Sequence, residues 1–200
     1  MTPRKLHRVT RLPVDDAYAG LEGDGDRGVA MLIAGSTRPR KAAVVTGHQL
    51  VLAPFRFPTA SRWSNGSYGV LYAAYDVATA LVEHGFHLAR FLRDAGWEPR
   101  FLARAYVAFD VARRLHDVRS EDPRFSDPDD YAFARERGRA LHAAGANGVI
   151  YRSARRLEGV CAGIFKPAIV TRPAIVSMVG YRWDGAELVA FRQTEGPIVQ

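Results

Sequence analysis

The spacing of apolar and polar positions gives its clearest signals downstream of residue 45. Val70-Leu71-Tyr72-Ala73-Ala74-Tyr75 is a short, uninterrupted apolar and aromatic run, the pattern of a buried strand. Asp76 follows as a helix N-cap, and the periodicity predicts a helix to about Asp94 with Gly96 as its stop. Leu81, His84, Leu88 and Leu92 recur at helical spacing on one face, while Thr79, Glu83, His87 and Arg90 form a more polar one. Arg100 to Asp110 reads as a strand of mixed faces. Residues 117–130, with Asp122-Pro123 and Asp127-Pro128, read as turns. A second helix is predicted from a cap at Asp129 or Asp130 through Ala144, closed by Gly145. Gly148-Val149-Ile150-Tyr151 is the next strand, and Ile164-Phe165 and Ala168-Ile169-Val170 read as short strand pieces. Ala174–Trp183 and Ala186–Phe191 flank Asp184-Gly185, a two-residue hairpin signal.

These elements predict a mixed α/β (α+β) single domain, strand-rich, with two principal helices. The closing hairpin means that its sheet is not wholly parallel. Residues 1–45 follow a different pattern. They carry turn formers and charges around one apolar patch, Val29-Ala30-Met31-Leu32-Ile33-Ala34, and are read as an N-terminal extension with little structure of its own. Residues 46–200 then form the folded domain. Gly23-Asp24-Gly25-Asp26 looks like the start of a calcium loop, but the remaining ligand positions are missing, so a turn is expected there.

Composition narrows the class. Hydrophobic content of 48% with 24% charged residues is that of a globular domain. No stretch approaches the roughly 18 consecutive apolar residues of a membrane span, and the basic start Met1-Thr2-Pro3-Arg4-Lys5 is not followed by a signal-peptide core. Cys161 is the single cysteine, which excludes an internal disulfide or a multi-cysteine metal site and fits a cytoplasmic protein. It sits in the small-residue run Gly159-Val160-Cys161-Ala162-Gly163, which reads as partly buried and so a poor place for a nucleophile. The net charge of +7 raises nucleic-acid binding as an alternative function. The basic residues are scattered, however, and all but Lys5, Lys41 and Lys166 are Arg, so charge alone does not select among nucleic acid, an anionic small molecule and an acidic partner.

The familiar catalytic signatures are missing: the sequence has no Walker A loop, no GxGxxG after a strand, no HExxH and no GxSxG. His84 and His87 lie three residues apart on one helix, but no third ligand accompanies them and no metal is expected. What remains is dispersed. Ser61-Arg62-Trp63-Ser64-Asn65-Gly66 precedes the strand bearing Tyr72, Glu83 lies in the second turn of the next helix, and Ser153 follows the strand ending at Tyr151, with Arg155 beside it. A strand-to-helix unit can carry an Arg, a Tyr and a Glu to one cleft at a strand end, where α/β proteins commonly place their sites.

In order and spacing these pieces resemble a RES domain. The first half of the resemblance is Phe55-Arg56-Phe57-Pro58, Ser61-Arg62-Trp63, Gly69-Val70-Leu71-Tyr72-Ala73-Ala74 and Thr79-Ala80-Leu81-Val82-Glu83. The second is Asp130-Tyr131, the run from Gly145 through Tyr151 to Arg155, and Phe165-Lys166-Pro167. It covers residues 50 to 192. The family's name-giving Arg, Glu and Ser fall on Arg62, Glu83 and Ser153. The resemblance implies an ADP-ribosyltransferase-like fold and the activity of a toxin that consumes NAD⁺ by phosphorolysis or hydrolysis. Transfer of ADP-ribose to a host protein is the alternative activity. It also implies a small helix-turn-helix-like antitoxin encoded by a neighbouring gene. The expected assembly is a homodimer or a toxin–antitoxin hetero-oligomer, with neither membrane nor nucleic acid as a direct partner.

The chemistry of the residues suits those expectations. An Arg fork meets the pyrophosphate oxygens of NAD⁺ with two directed bonds, a role for Arg62. The cationic nicotinamide ring favours an aromatic face such as Tyr72. Breaking the nicotinamide–ribose bond develops oxocarbenium character, which a carboxylate at Glu83 stabilises. Ser153 is placed to hydrogen-bond the nicotinamide amide or a ribose hydroxyl. Arg155 and Arg56 are further candidates for the pyrophosphate or for inorganic phosphate as co-substrate, although spacing to Tyr72 and Glu83 favours Arg62 over Arg56 as the principal phosphate ligand.

Overall fold

The computed structural model describes residues 4–11 and 45–195. Eight strands form one sheet: β1 (Arg4–Thr10), β2 (Leu71–Ala74), β3 (Arg100–Val111), β4 (His116–Asp117), β5 (Gly148–Arg152), β6 (Val160–Ile164), β7 (Val170–Trp183) and β8 (Leu188–Glu195). Three α-helices accompany them among the described residues: α1 (Gly47–Arg56), α2 (Val77–Asp94) and α3 (Ala132–Ala143). The spatial order is β4-β5-β6-β2-β1-β3-β7-β8. Only the short β4–β5 pair is parallel; the other pairs are antiparallel. The mixed, strand-rich domain expected from the sequence is therefore the architecture observed.

Side-chain alternation along the strands divides the core into two halves. On β2, Leu71 and Ala73 point to one face, where α1 buries Leu50 and Val51 together with Leu6, Phe109 and Ile164. Ala74 and the partly buried Tyr72 point to the other, which α2 and α3 cover with Ala80, Leu88, Leu92 and Leu141 over Trp63, Tyr151 and Cys161. A one-residue slip of β2 would exchange these faces, so its register with β6, Tyr72 opposite Gly163 and Ala74 opposite Cys161, fixes which side chains meet α2.

Several elements differ from expectation; one is the expected Ile164-Phe165 piece, which is β6 over Val160–Ile164 with Phe165 beyond its end. Residues 4–10, read as part of an extension, form β1 inside the sheet, paired with β3 from Arg4 opposite Val111 to Thr10 opposite Ala105. Arg-Lys-Leu-His-Arg-Val-Thr hides this role because only Leu6 and Val9 are buried apolar residues, while the ladder supplies the remaining stabilisation through the backbone. Helix α1 was not among the predicted elements; it begins at Gly47 and contains Pro54, residue types that disfavour a helix. A capping box nucleates it: Thr46 Oγ1 accepts the Gln49 N–H at 3.3 Å, and Gln49 Oε1 accepts the Thr46 N–H at 2.9 Å. Pro54 falls in the last turn, three residues before the C-cap Phe57. Ala168-Ile169-Val170 does not extend as one strand piece, because Pro167–Ile169 close a 3₁₀ turn before β7 begins. The patch Val29–Ala34 and the Gly23–Asp26 turn lie outside the described residues.

The expected helices appear close to their predicted limits. Asp76 caps α2, its carboxylate accepting the Thr79 N–H at 2.8 Å and the Thr79 hydroxyl at 2.7 Å. Before α3, Asp127 Oδ1 accepts the N–H groups of Asp129 and Asp130, and Asp130 Oδ1 accepts that of Ala132. The acidic run thus organises the entry to the helix although Tyr131, at the cap position, makes no side-chain cap bond.

Candidate functional site

The site lies on the α2 side of the sheet, and its first component is the loop between α1 and β2. Trp63 is wholly buried and anchors this loop in the core. Its ring meets Tyr151 edge-on at 5.4 Å and Phe125 at the same separation. Helix α3 presses against the loop's backbone at Gly138, where a Cβ would stand 2.3 Å from the Trp63 carbonyl oxygen. Tyr72 ties the loop to the sheet: its hydroxyl accepts the Trp63 N–H at 2.9 Å and donates to Ser61 Oγ at 2.8 Å. Burial pushes the Tyr72 phenol up to about 12, so it remains a protonated donor.

Arg62 is held between these two anchors and is only 8% exposed. Its Nη1 donates to the carbonyls of Phe125 at 3.1 Å and Asp127 at 2.6 Å. Its guanidinium lies 4.3 Å from the Tyr131 ring centroid and 6.0 Å from that of Tyr151. A guanidinium surrounded by carbonyls and aromatic faces loses much of its water. That condition strengthens its attraction for an incoming anion.

Glu83 faces the same region from the second turn of α2. Its Oε1 accepts the Ser153 hydroxyl at 2.5 Å and lies 3.7 Å from Cys161 Sγ. Ser153, just beyond β5, also accepts the N–H groups of Arg155 at 3.1 Å and Arg156 at 3.0 Å. This turn is packed close: a Cβ on Gly159 would meet both Ser153 Cβ and Thr79 Oγ1 at 2.8 Å. Arg155 lies over Phe86 at 3.4 Å and donates to the Pro128 carbonyl at 2.6 Å. Arg156 instead reaches Thr79 Oγ1 at 3.1 Å and the Asp76 carboxylate at 3.6 Å.

Arg62, Tyr72, Glu83, Ser153 and Arg155 are thereby brought together. Arg56 is not. It is exposed in the last turn of α1, the helix that covers the opposite face of the sheet. The two helix histidines also diverge. His84 is buried against Tyr181, and desolvation holds it down at about 3. His87 stays on the Glu83 side, its pKa lowered mainly by burial, with Arg155 and Arg62 adding to the shift and Glu83 opposing it.

Sequence reasoning passed over Tyr131, Tyr151 and Phe86, which supply the aromatic surroundings of the two arginines. Tyr151 stood in an apolar strand, Tyr131 directly after an acidic run and Phe86 between Gly85 and His87, and none carried a signal that set it apart from ordinary packing. Their approach to Arg62 and Arg155 depends on the 117–131 connection, whose carbonyls at Phe125, Asp127 and Pro128 no side-chain pattern reveals. Cys161 is 2% exposed, and burial together with the neighbouring Glu83 pushes its thiol up, so it is an unreactive thiol.

The fold and site thus define a class: a mixed-sheet domain with a desolvated arginine, a helix-borne glutamate and a strand-end serine gathered on one face. The RES-domain profile matches residues 40–184, and the chain belongs to the RES-domain family. Among solved structures, it is similar to a chain in the crystal structure of the M. tuberculosis MbcT–MbcA toxin–antitoxin complex. That similarity has 11% identity and a TM-score of 0.45, covering 98% of this chain and 86% of the other. No curated protein matches. No helix among the described residues is long and apolar enough to cross a membrane.

Proposed function

We propose that this protein is the toxin of a toxin–antitoxin pair and cleaves the nicotinamide–ribose bond of NAD⁺. The observation that carries the reading is the Glu83–Ser153 hydrogen bond of 2.5 Å, set on the face that Arg62 shares, in a chain of the RES family. Glu83 then lies beside the ribose, where its negative charge stabilises the oxocarbenium ion that forms as the C1′–N bond lengthens. Arg62 and Arg155 hold the pyrophosphate, and Tyr72 presents an aromatic face to the nicotinamide end. Nicotinamide departs neutral with the bonding electron pair. Water then adds to C1′ and loses a proton, giving ADP-ribose, or inorganic phosphate adds through one oxygen and gives the phosphate ester of ADP-ribose at that same carbon. The site requires no metal in this reading. Membership of the RES family supports the toxin role and a cognate antitoxin, and the single cysteine is in keeping with a cytoplasmic setting.

The test is incubation of purified, antitoxin-free protein with NAD⁺, with and without inorganic phosphate, with nicotinamide release followed by chromatography. Release only with phosphate identifies phosphorolysis, and release in both identifies hydrolysis. Labelled protein in place of free ADP-ribose would redirect the reading to a transferase, and undiminished NAD⁺ in every arm overturns it.

A further inference from the structure

Tyr151 on β5 and Cys161 on β6 are direct cross-strand partners, and both side chains lie in the core half that faces α2. The Cys161 sulfur approaches Glu83 Oε1 at 3.7 Å. Ser153 reaches the same oxygen from the other side at 2.5 Å. We propose that Cys161 is a positioning residue for Glu83: with Ser153 it saturates Oε1 and leaves Oε2 as the oxygen presented to the substrate.

A carboxylate has about four acceptor positions shared by two oxygens, so two donors on Oε1 occupy that oxygen fully. The terminal torsion of a glutamate is broad and nearly two-fold, and a free carboxylate would exchange its oxygens readily. Two donors fixed to the sheet and to the Ser153 turn remove that exchange. A carboxylate serving a developing cation gains from being oriented before the reaction begins. The thiol is suited to the task because burial and the Glu83 charge keep it protonated, hence a donor and not a nucleophile. The catalytic consequence rests on the NAD⁺-cleavage reading; the hydrogen-bond chain does not.

Two measurements separate these layers. Cys161 is the single thiol of the chain, so its S–H infrared band is unique and is blanked by Cys161→Ala. Glu83→Gln replaces a charged acceptor with a neutral one and should move the band to higher wavenumber. An unmoved band overturns the chain of bonds whatever the protein catalyses. In NAD⁺ cleavage, Cys161→Ala should lower kcat about five- to tenfold, the cost of one lost oriented donor, with KM within about twofold. Cys161→Ser should recover most of the loss. Cys161→Val, which fills the site without a donor, should lower kcat in the same direction and stands in if Cys161→Ala fails to fold. Unchanged kcat in folded variants, or a serine variant no better than alanine, overturns the positioning role. A wild-type protein that leaves NAD⁺ intact refutes the proposed function, and the infrared shift then decides the hydrogen-bond chain alone.

Discussion

Replacing Tyr72 with phenylalanine separates two roles that one side chain combines. The substitution keeps the aromatic face and removes the hydroxyl that grips the chain on both sides of Arg62. That hydroxyl accepts the Trp63 N–H at 2.9 Å and donates to Ser61 Oγ at 2.8 Å. Trp63 is fully buried, so its N–H is left without a partner, at a cost of about 1–3 kcal/mol. Ser61 is partly buried and recovers its bond from water, which adds little. A net loss of about 2 kcal/mol corresponds to a fall in Tm of roughly 4–8 °C for a domain of this size. The loosened Arg62 loop should also raise the KM for NAD⁺ more than it lowers kcat, because a phosphate ligand is affected and not the bond-breaking step. Thermal unfolding by circular dichroism and steady-state kinetics read the two effects. An unchanged Tm together with an unchanged KM would refute the anchoring role and leave ring stacking as the whole contribution of Tyr72.

Other outcomes follow from the same geometry. Gly138→Ala should destabilise the fold by at least about 1–3 kcal/mol, since its Cβ would stand 2.3 Å from the Trp63 carbonyl, and urea unfolding measures the loss. His84 is held neutral at about 3, so its folded pKa lies below its unfolded one. Its stabilisation is present above about pH 6.5 and is lost as pH falls towards 3; His84→Gln should flatten the decline of Tm between pH 6.5 and 4. Tyr72 and Tyr181 behave oppositely, both raised to about 12, chiefly by burial. Their stabilisation is complete below the unfolded tyrosine value of about 10 and is lost as pH rises from there to 12. Tyr181→Phe should therefore shallow the alkaline fall in Tm. Cys161 should react with a thiol reagent only as fast as the native protein opens, which labelling with and without low urea would show.

How legible these features were in the sequence depended on where the stabilisation resides. Helix α2 was readable because its cap is a side chain, Asp76, and its burial is periodic. The β7–β8 hairpin was readable because Asp184 and Gly185 signal a turn locally, although four residues, 184–187, and not two connect Trp183 to its partner Leu188. Strand β1 was not, since its place between β2 and β3 is set by backbone pairing with residues about a hundred positions away. Helix α1 was hidden because the Thr46–Gln49 box offsets two residues that otherwise argue against a helix.

The same division runs through the site. Arg62, Glu83 and Ser153 were nominated by resemblance, and the structure gathers them without assigning their roles. Arg56 was nominated on similar grounds, yet the alternation of faces along β2 sends its helix to the other side. Tyr131 and Tyr151 could not be separated from core aromatics until the 117–131 connection was seen folding over Arg62. The carbonyls of Phe125 and Asp127 that orient the guanidinium have no side-chain signature at all.

Nicotinamide release from NAD⁺, compared between the wild-type protein and folded Glu83→Gln, bears most directly on the central claim. The account predicts release by the wild type and a loss of at least about a hundredfold in the variant, the scale seen when one preorganised electrostatic group is removed. Release that persists undiminished in the glutamine variant, or wild-type protein that leaves NAD⁺ whole with and without phosphate, would contradict it.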